Sequence, residues 1–216
     1  MVPVTGHPSI RKAAHLLGMR VEEAPVDPES KKADPEAVKA LIDKNTALVV
    51  LSAPNYPYGV IDPIREIAEY TSDAGVLLHV DACIGGFILP FMEMLGEPVD
   101  LYDFRVEGVT SLSMDAHKYG YTPKGVSIIL FRGDELKKHS IFVDLKWPGY
   151  PFINTTILSS RTAAPLAAAW TVFNYLGVEG YKKLTSQVLD ARNRILGGLQ
   201  RLGFKSLAPV ESSHYL

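Results

Sequence analysis

The chain has 216 residues, 47% hydrophobic and 21% charged, with a formal net charge of -2, enough to bury one large domain or one and a half. That balance excludes a general pull toward nucleic acid or anionic membranes. A lone cysteine, Cys83, excludes an internal disulfide framework and a thiolate metal cluster, and points to a reducing, cytoplasmic setting.

The apolar spacing of "SIRKAAHLLG" predicts a helix over 9–18 ending on Gly18, and "MRVEEAPV" follows as a short strand. Asp34 as N-cap and Pro35 at the first helical position open a second helix over 34–43. "TALVVLS", 46–52, is a β-branched apolar run ending in the turn-rich "APNYPYG", the pattern of a strand buried on both faces. The cycle recurs: Asp62 and Pro63 open the helix "PIREIAEYTSDA", Gly75 closes it, and "VLLHVD" is the next strand. Further strands are predicted over 110–115 and 126–132. "KWPGYPFINTT" reads as a turn-rich linker, two helices are expected over 164–177 and 180–203, and "FKSLAPV" as the first strand of another small domain.

Alternating strands and helices predict an α/β three-layer sandwich with a mostly parallel sheet. The expected division is a large domain over 1–145, then a linker, long helices and the beginning of a smaller C-terminal domain over 146–216. The most apolar stretch, 75–91, carries His79 and Asp81 and is broken by two glycines, so it reads as core and not as a transmembrane helix. "MVPVTGHPSIRK" has neither signal-peptide nor transit-peptide order. With both ends abrupt, the chain reads as a piece of a longer protein.

In open α/β sheets, ligands bind beyond the carboxyl ends of the strands. Asn55, Asp81 and the His117–Lys118 pair each follow or end a different predicted strand, which predicts one pocket for all of them. Taken alone, Asp81 reads as a helix N-cap or loop aspartate, and Lys118 as a solvated loop lysine. Together, a buried carboxylate and a lysine at one sheet edge match what pyridoxal phosphate needs: an amine for its aldehyde and an anion for its ring nitrogen.

Two segments, "HVDACIGGF" and "SMDAHKYGYTPKG", resemble the group II pyridoxal phosphate-dependent decarboxylase superfamily, of fold type I. Within it they look most like the lyases that cleave sphingosine 1-phosphate. The resemblance extends to "TGHPSIRKAAHLLGM", "LSAPNYPYGVIDPI" and "SSRTAAPLAAAW", and so to nearly the whole chain. It implies Lys118 as the Schiff-base lysine, Asp81 as the partner of the pyridinium, His7 as the imidazole on the ring face and His117 as a donor to the cofactor phosphate. His79 shares a strand face with Asp81 and reads either as a support for that carboxylate or as a satisfied core histidine. Cys83 reads as small packing material.

Lys124 lies in a "PKG" loop that the lyases share, where it would meet a substrate phosphate. Amino-acid decarboxylases often carry tryptophan after the His-Lys pair and lack this lysine, whereas Tyr119 and Lys124 stand here. An exposed loop lysine is the plainer reading of Lys124. Arg161 meets an anion or braces a domain junction. The implied activity is cleavage of a phosphorylated sphingoid base to a long-chain aldehyde and ethanolamine phosphate by a homodimer. The alternatives are an amino-acid decarboxylase and a catalytically inert remnant. The family's Gly/Ser/Thr-rich phosphate cup lies ahead of the stacking histidine, and the few residues before His7 do not contain it.

Overall fold

The computed structural model describes residues 1–158 and 160–207. A short parallel pair, β1 (Val2–Pro3) and β2 (Glu23–Ala24), flanks α1 (Pro8–Leu16). Helix α2 (Pro35–Leu41) starts as its sequence predicts: the Asp34 carboxylate accepts the Ala37 N–H at 3.1 Å and Pro35 occupies the first turn. Then come β3 (Leu48–Ser52), α3 (Ile64–Asp73), β4 (Leu77–Asp81), α4 (Leu89–Met94), β5 (Ser111–Asp115) and β6 (Ser127–Phe131). The chain continues through α5 (Asp134–Lys137), β7 (Phe142–Asp144), β8 (Phe152–Asn154) and α6 (Ala164–Arg201).

Strands β3 to β6 form one sheet in chain order, the first two pairings parallel and the last antiparallel. Helices cover both of its faces, giving the fold type I α/β sandwich with a mostly parallel sheet. Val49 and Leu51 of β3 and Leu78 and Val80 of β4 are buried with Val38, Ile64 and Ile67 from the helices on one side. Burying such side chains contributes about 1.5–3 kcal/mol each, which is what holds helices to sheet.

Register sets the other face. Val50, His79, Ser111 and Phe131 form one row across the strands, and Ser52, Asp81, Ser113 and Ile129 the next. After Asp81 the chain turns through a 3₁₀ segment, Gly85–Phe87. A Cβ at Gly85 would run into the Ala53 carbonyl and one at Gly86 into the Met114 side chain, so only glycines let this segment fit between β3 and β5.

Asp62 departs from its predicted part in opening α3. Pro63 takes the N-cap, and the Asp62 carboxylate turns inward to accept the N–H groups of Ala33 at 2.9 Å and Ser52 at 2.8 Å. Burial pushes its pKa up to about 6 against the pull of these two bonds.

The expected linker is instead framed by the antiparallel hairpin β7–β8. Its many turn residues sit in the connection, while Phe142 and Phe152 pair across it. The two predicted helices are there within α6, separated by a kink at Gly177, which leaves helical geometry at φ 54° and ψ -174°. Beyond the break, Tyr181 stacks on Phe91 of α4 at 4.9 Å and donates its hydroxyl to the Gly120 carbonyl at 2.7 Å. Of the last predicted strand, residues 204–207 are not in a strand, and the remainder lies outside the described residues. Among the described residues no helix is long and apolar enough to cross a membrane.

Candidate active site

Asp81 closes β4 and is only 9% exposed. Its Oδ1 accepts the Cys83 N–H at 3.0 Å and the Ser113 hydroxyl at 3.3 Å. The Cys83 thiol also bonds the Asp81 carboxylate, and the Asp81 side chain lines a pocket. A buried carboxylate is costly unless donors or a cation meet it.

Lys118 stands on the turn that follows β5. Its ammonium lies 3.1 Å from Asp115 Oδ2 and also bonds the Cys83 thiol. Burial works to lower the amine's pKa, but the bonds to Cys83 and Asp115 outweigh it, so the group stands above the ordinary lysine range. Burial and the Asp81 charge push the Cys83 thiol up to about 11. Cys83 is therefore neutral at pH 7, and the Asp115 carboxylate is what holds the charged amine there.

His7 comes from the loop ahead of α1. Its Nδ1 accepts the Ser9 N–H at 3.3 Å and faces the Ser9 hydroxyl at 2.7 Å, which assigns the ring proton to Nε2. Arg11 steadies this loop through the Gly6 carbonyl at 2.8 Å and an ion pair with Glu23. His7, Asp81 and Lys118 thus converge, with Ser52, Tyr56 and Cys83, on one pocket of about 170 Å³. Surface grooves of about 660 Å³ beside Lys32 and about 680 Å³ beside Asp43 are larger but hold none of the three. Chemistry and not size singles out the smaller pocket.

The other predicted residues lie outside its lining. The Nδ1 of His117 is 3.2 Å from the Val126 carbonyl, and its Nε2 is 3.5 Å from Asp115 Oδ2. Lys124 and Arg161 are exposed on their loops. Asn55, expected in the pocket, is 1% exposed and is used elsewhere, accepting the Tyr58 N–H of its own turn and donating to the Lys31 carbonyl of a distant loop. His79 does share the Asp81 face, but bonds Ser111 and Ser113 and not the carboxylate itself. Sequence reasoning missed Ser52, Tyr56, Ser113 and Asp115. Only Asp115, three residues ahead of Lys118, left a signal, since that spacing suits an ion pair across one turn.

An amine, an imidazole and a buried carboxylate around one pocket suit a ring that carries an aldehyde and a proton-bearing nitrogen. Such a set is what a pyridoxal phosphate-dependent protein of fold type I needs. The family model described as the pyridoxal-dependent decarboxylase conserved domain matches residues 2–203, and the chain belongs to that family. It is 42% identical over 94% of its length to a sphingosine-1-phosphate lyase of Dictyostelium discoideum, and 40% identical over 94% to one of Arabidopsis thaliana. It spans 38% and 37% of those proteins. The solved sphingosine-1-phosphate lyase of Burkholderia pseudomallei superimposes with a TM-score of 0.86 at 41% identity, covering 88% of this chain and 44% of that one.

Proposed function

We propose that the protein acts as a pyridoxal phosphate-dependent lyase that cleaves a phosphorylated sphingoid base to a long-chain aldehyde and ethanolamine phosphate. The convergence of Lys118, Asp81 and His7 on one pocket carries this reading, and about 40% identity to sphingosine-1-phosphate lyases supports the choice of substrate. When bound, the cofactor supplies an electron sink for the pair released as the carbon–carbon bond breaks.

The chain's own groups do the rest. Lys118 would hold the cofactor aldehyde through its amine, and Asp115, 3.1 Å from that amine, would hold it while it is free. Asp81 would hold the proton on the cofactor's ring nitrogen and so keep a positive charge there. His7 covers the ring face, and it and the released Lys118 are the groups placed to return a proton to carbon. Lys124 meets the substrate phosphate, with Arg161 as a second cation for it, and His117 turns to the cofactor phosphate. In this reading the protein works in the cytoplasm as a homodimer, and the exposed apolar side chains of Phe142, Trp147 and Ile153 are surface for such contact to cover.

The test adds pyridoxal phosphate and substrate to the protein. Visible absorbance gained on adding cofactor and lost in Lys118→Ala, together with aldehyde release from phosphorylated substrate, is the expected result. Lys124→Ala should impair that substrate far more than its unphosphorylated analogue; equal effects would remove Lys124 from the phosphate site. The match to the decarboxylase family model favours one second reading, an amino-acid decarboxylase. Carbon dioxide release without aldehyde would establish it instead.

A further inference from the structure

His79 is half-buried between two hydroxyls of the neighbouring strand: Nδ1 lies 2.8 Å from Ser111 Oγ and Nε2 lies 3.1 Å from Ser113 Oγ. Register puts them there, since Ser111 pairs with His79 and Ser113 with Asp81 on the adjoining strand. Ser113 also reaches Asp81 Oδ1 at 3.3 Å. The Ser113–Asp81 bond orients the others. Ser113 has one proton, and a carboxylate only accepts, so the hydroxyl donates to Asp81 and must accept from His79. The imidazole, neutral because burial holds it below the ordinary histidine range despite the nearby Asp81 charge, therefore carries its proton on Nε2. Its Nδ1 then accepts from Ser111.

We infer that Ser111, His79 and Ser113 form a one-way hydrogen-bond chain that fixes the Asp81 carboxylate, occupying Oδ1 so that Oδ2 faces the pocket. With the Cys83 N–H on the same oxygen, Oδ1 has two anchors. Bonds in such a chain polarise one another, so each strengthens the next. Ser113 is the link between the histidine and the acid, and both serines are positioning residues. This rests on the reading in which Asp81 meets the cofactor ring nitrogen.

The test has two arms. The first uses the protein without cofactor, labelled with ¹⁵N-histidine, and long-range proton–nitrogen spectra. The expected spectrum shows His79 as the Nε2–H tautomer, with a ring proton that exchanges slowly and is exposed to exchange in Ser113→Ala. Ser111→Ala should admit the Nδ1–H tautomer. Finding Nδ1–H in the unaltered protein would reverse the chain and overturn the inference.

The second arm titrates the protein with pyridoxal phosphate and follows fluorescence quenching. Ser113→Ala should weaken binding about tenfold, the effect of one hydrogen bond to a charged group. Ser113→Thr keeps the hydroxyl and should restore most of that loss. Equal affinity in Ser113→Ala and the unaltered protein overturns the positioning role. No binding by the unaltered protein refutes the cofactor reading itself and the ring contact with it, whereas the tautomer alone decides whether the carboxylate is held.

Discussion

Asp81 is placed by paired strands: β3 brings Ser52 and β5 brings Ser113 to its side through register, and the carboxylate is 9% exposed. Lys118, across the same pocket, hangs on a turn whose side chain is 34% exposed and whose holdfasts are Asp115, Cys83 and, through Gly120, Tyr181. The difference follows the chemistry asked of each end. A group that keeps one partner throughout is built into the sheet, where several strands would have to shift together to move it. A group that must leave one partner for another is built on a turn, held by an ion pair that water can reach and that is correspondingly weak.

The largest way to break the comparison is at the sheet end. Asp81→Asn keeps an acceptor for Cys83 and Ser113 but loses the charge, and turnover of phosphorylated substrate should fall on the order of a hundredfold or more, measured by aldehyde release.

Next comes the end of β3, where the Asp62 carboxylate binds the Ser52 N–H. An aspartate raised to about 6 in the folded protein holds its proton more tightly there than in the unfolded chain. Its contribution is complete below about pH 4 and is lost as pH rises toward 6, an effect of roughly 3 kcal/mol. Urea unfolding should show this decline in the unaltered protein and not in Asp62→Asn.

At the turn, Gly120→Ala drives a Cβ into the Ala116 carbonyl, and should cost about 1–3 kcal/mol in the same measurement. Tyr181→Phe keeps the stack on Phe91 and removes only the bond to the Gly120 carbonyl. A loss of about 1 kcal/mol is expected, with faster proteolysis near Lys118.

Asp115→Asn should change stability least, by under about 1 kcal/mol, because the pair is partly solvated. Its signature is in pH. The raised Lys118 pKa gives stability that is full below the unfolded lysine value and is lost as pH climbs through the folded one. That loss at alkaline pH should shrink in the variant, while acylation of Lys118 at pH 9 should quicken.

Much of this was legible from local pattern. Strand ends and helix starts follow from short-range signals, as the Asp34 and Pro35 cap shows, and the family motifs named the three groups that converge on the pocket. What was hidden depends on neighbours distant in sequence. Ser111 and Ser113 look like the solvent face of an alternating strand, and only pairing with β4 reveals that they clasp His79. Asn55 sits at a strand end like Asp81, yet its amide ties its own turn to the distant Lys31 carbonyl. β6 reads like any apolar strand; that it runs antiparallel follows from the short connection from β5, which has no room for a crossover.

The Tyr181 tether also bears on the order in which a new chain matures. During synthesis β3 to β6 emerge well before residue 181, so the sheet and its carboxylate can assemble while the ribosome is still adding α6. The loop carrying Lys118 lacks its last fastening until that phenol arrives and docks against Phe91, which makes the amine side the late-finished half of the pocket.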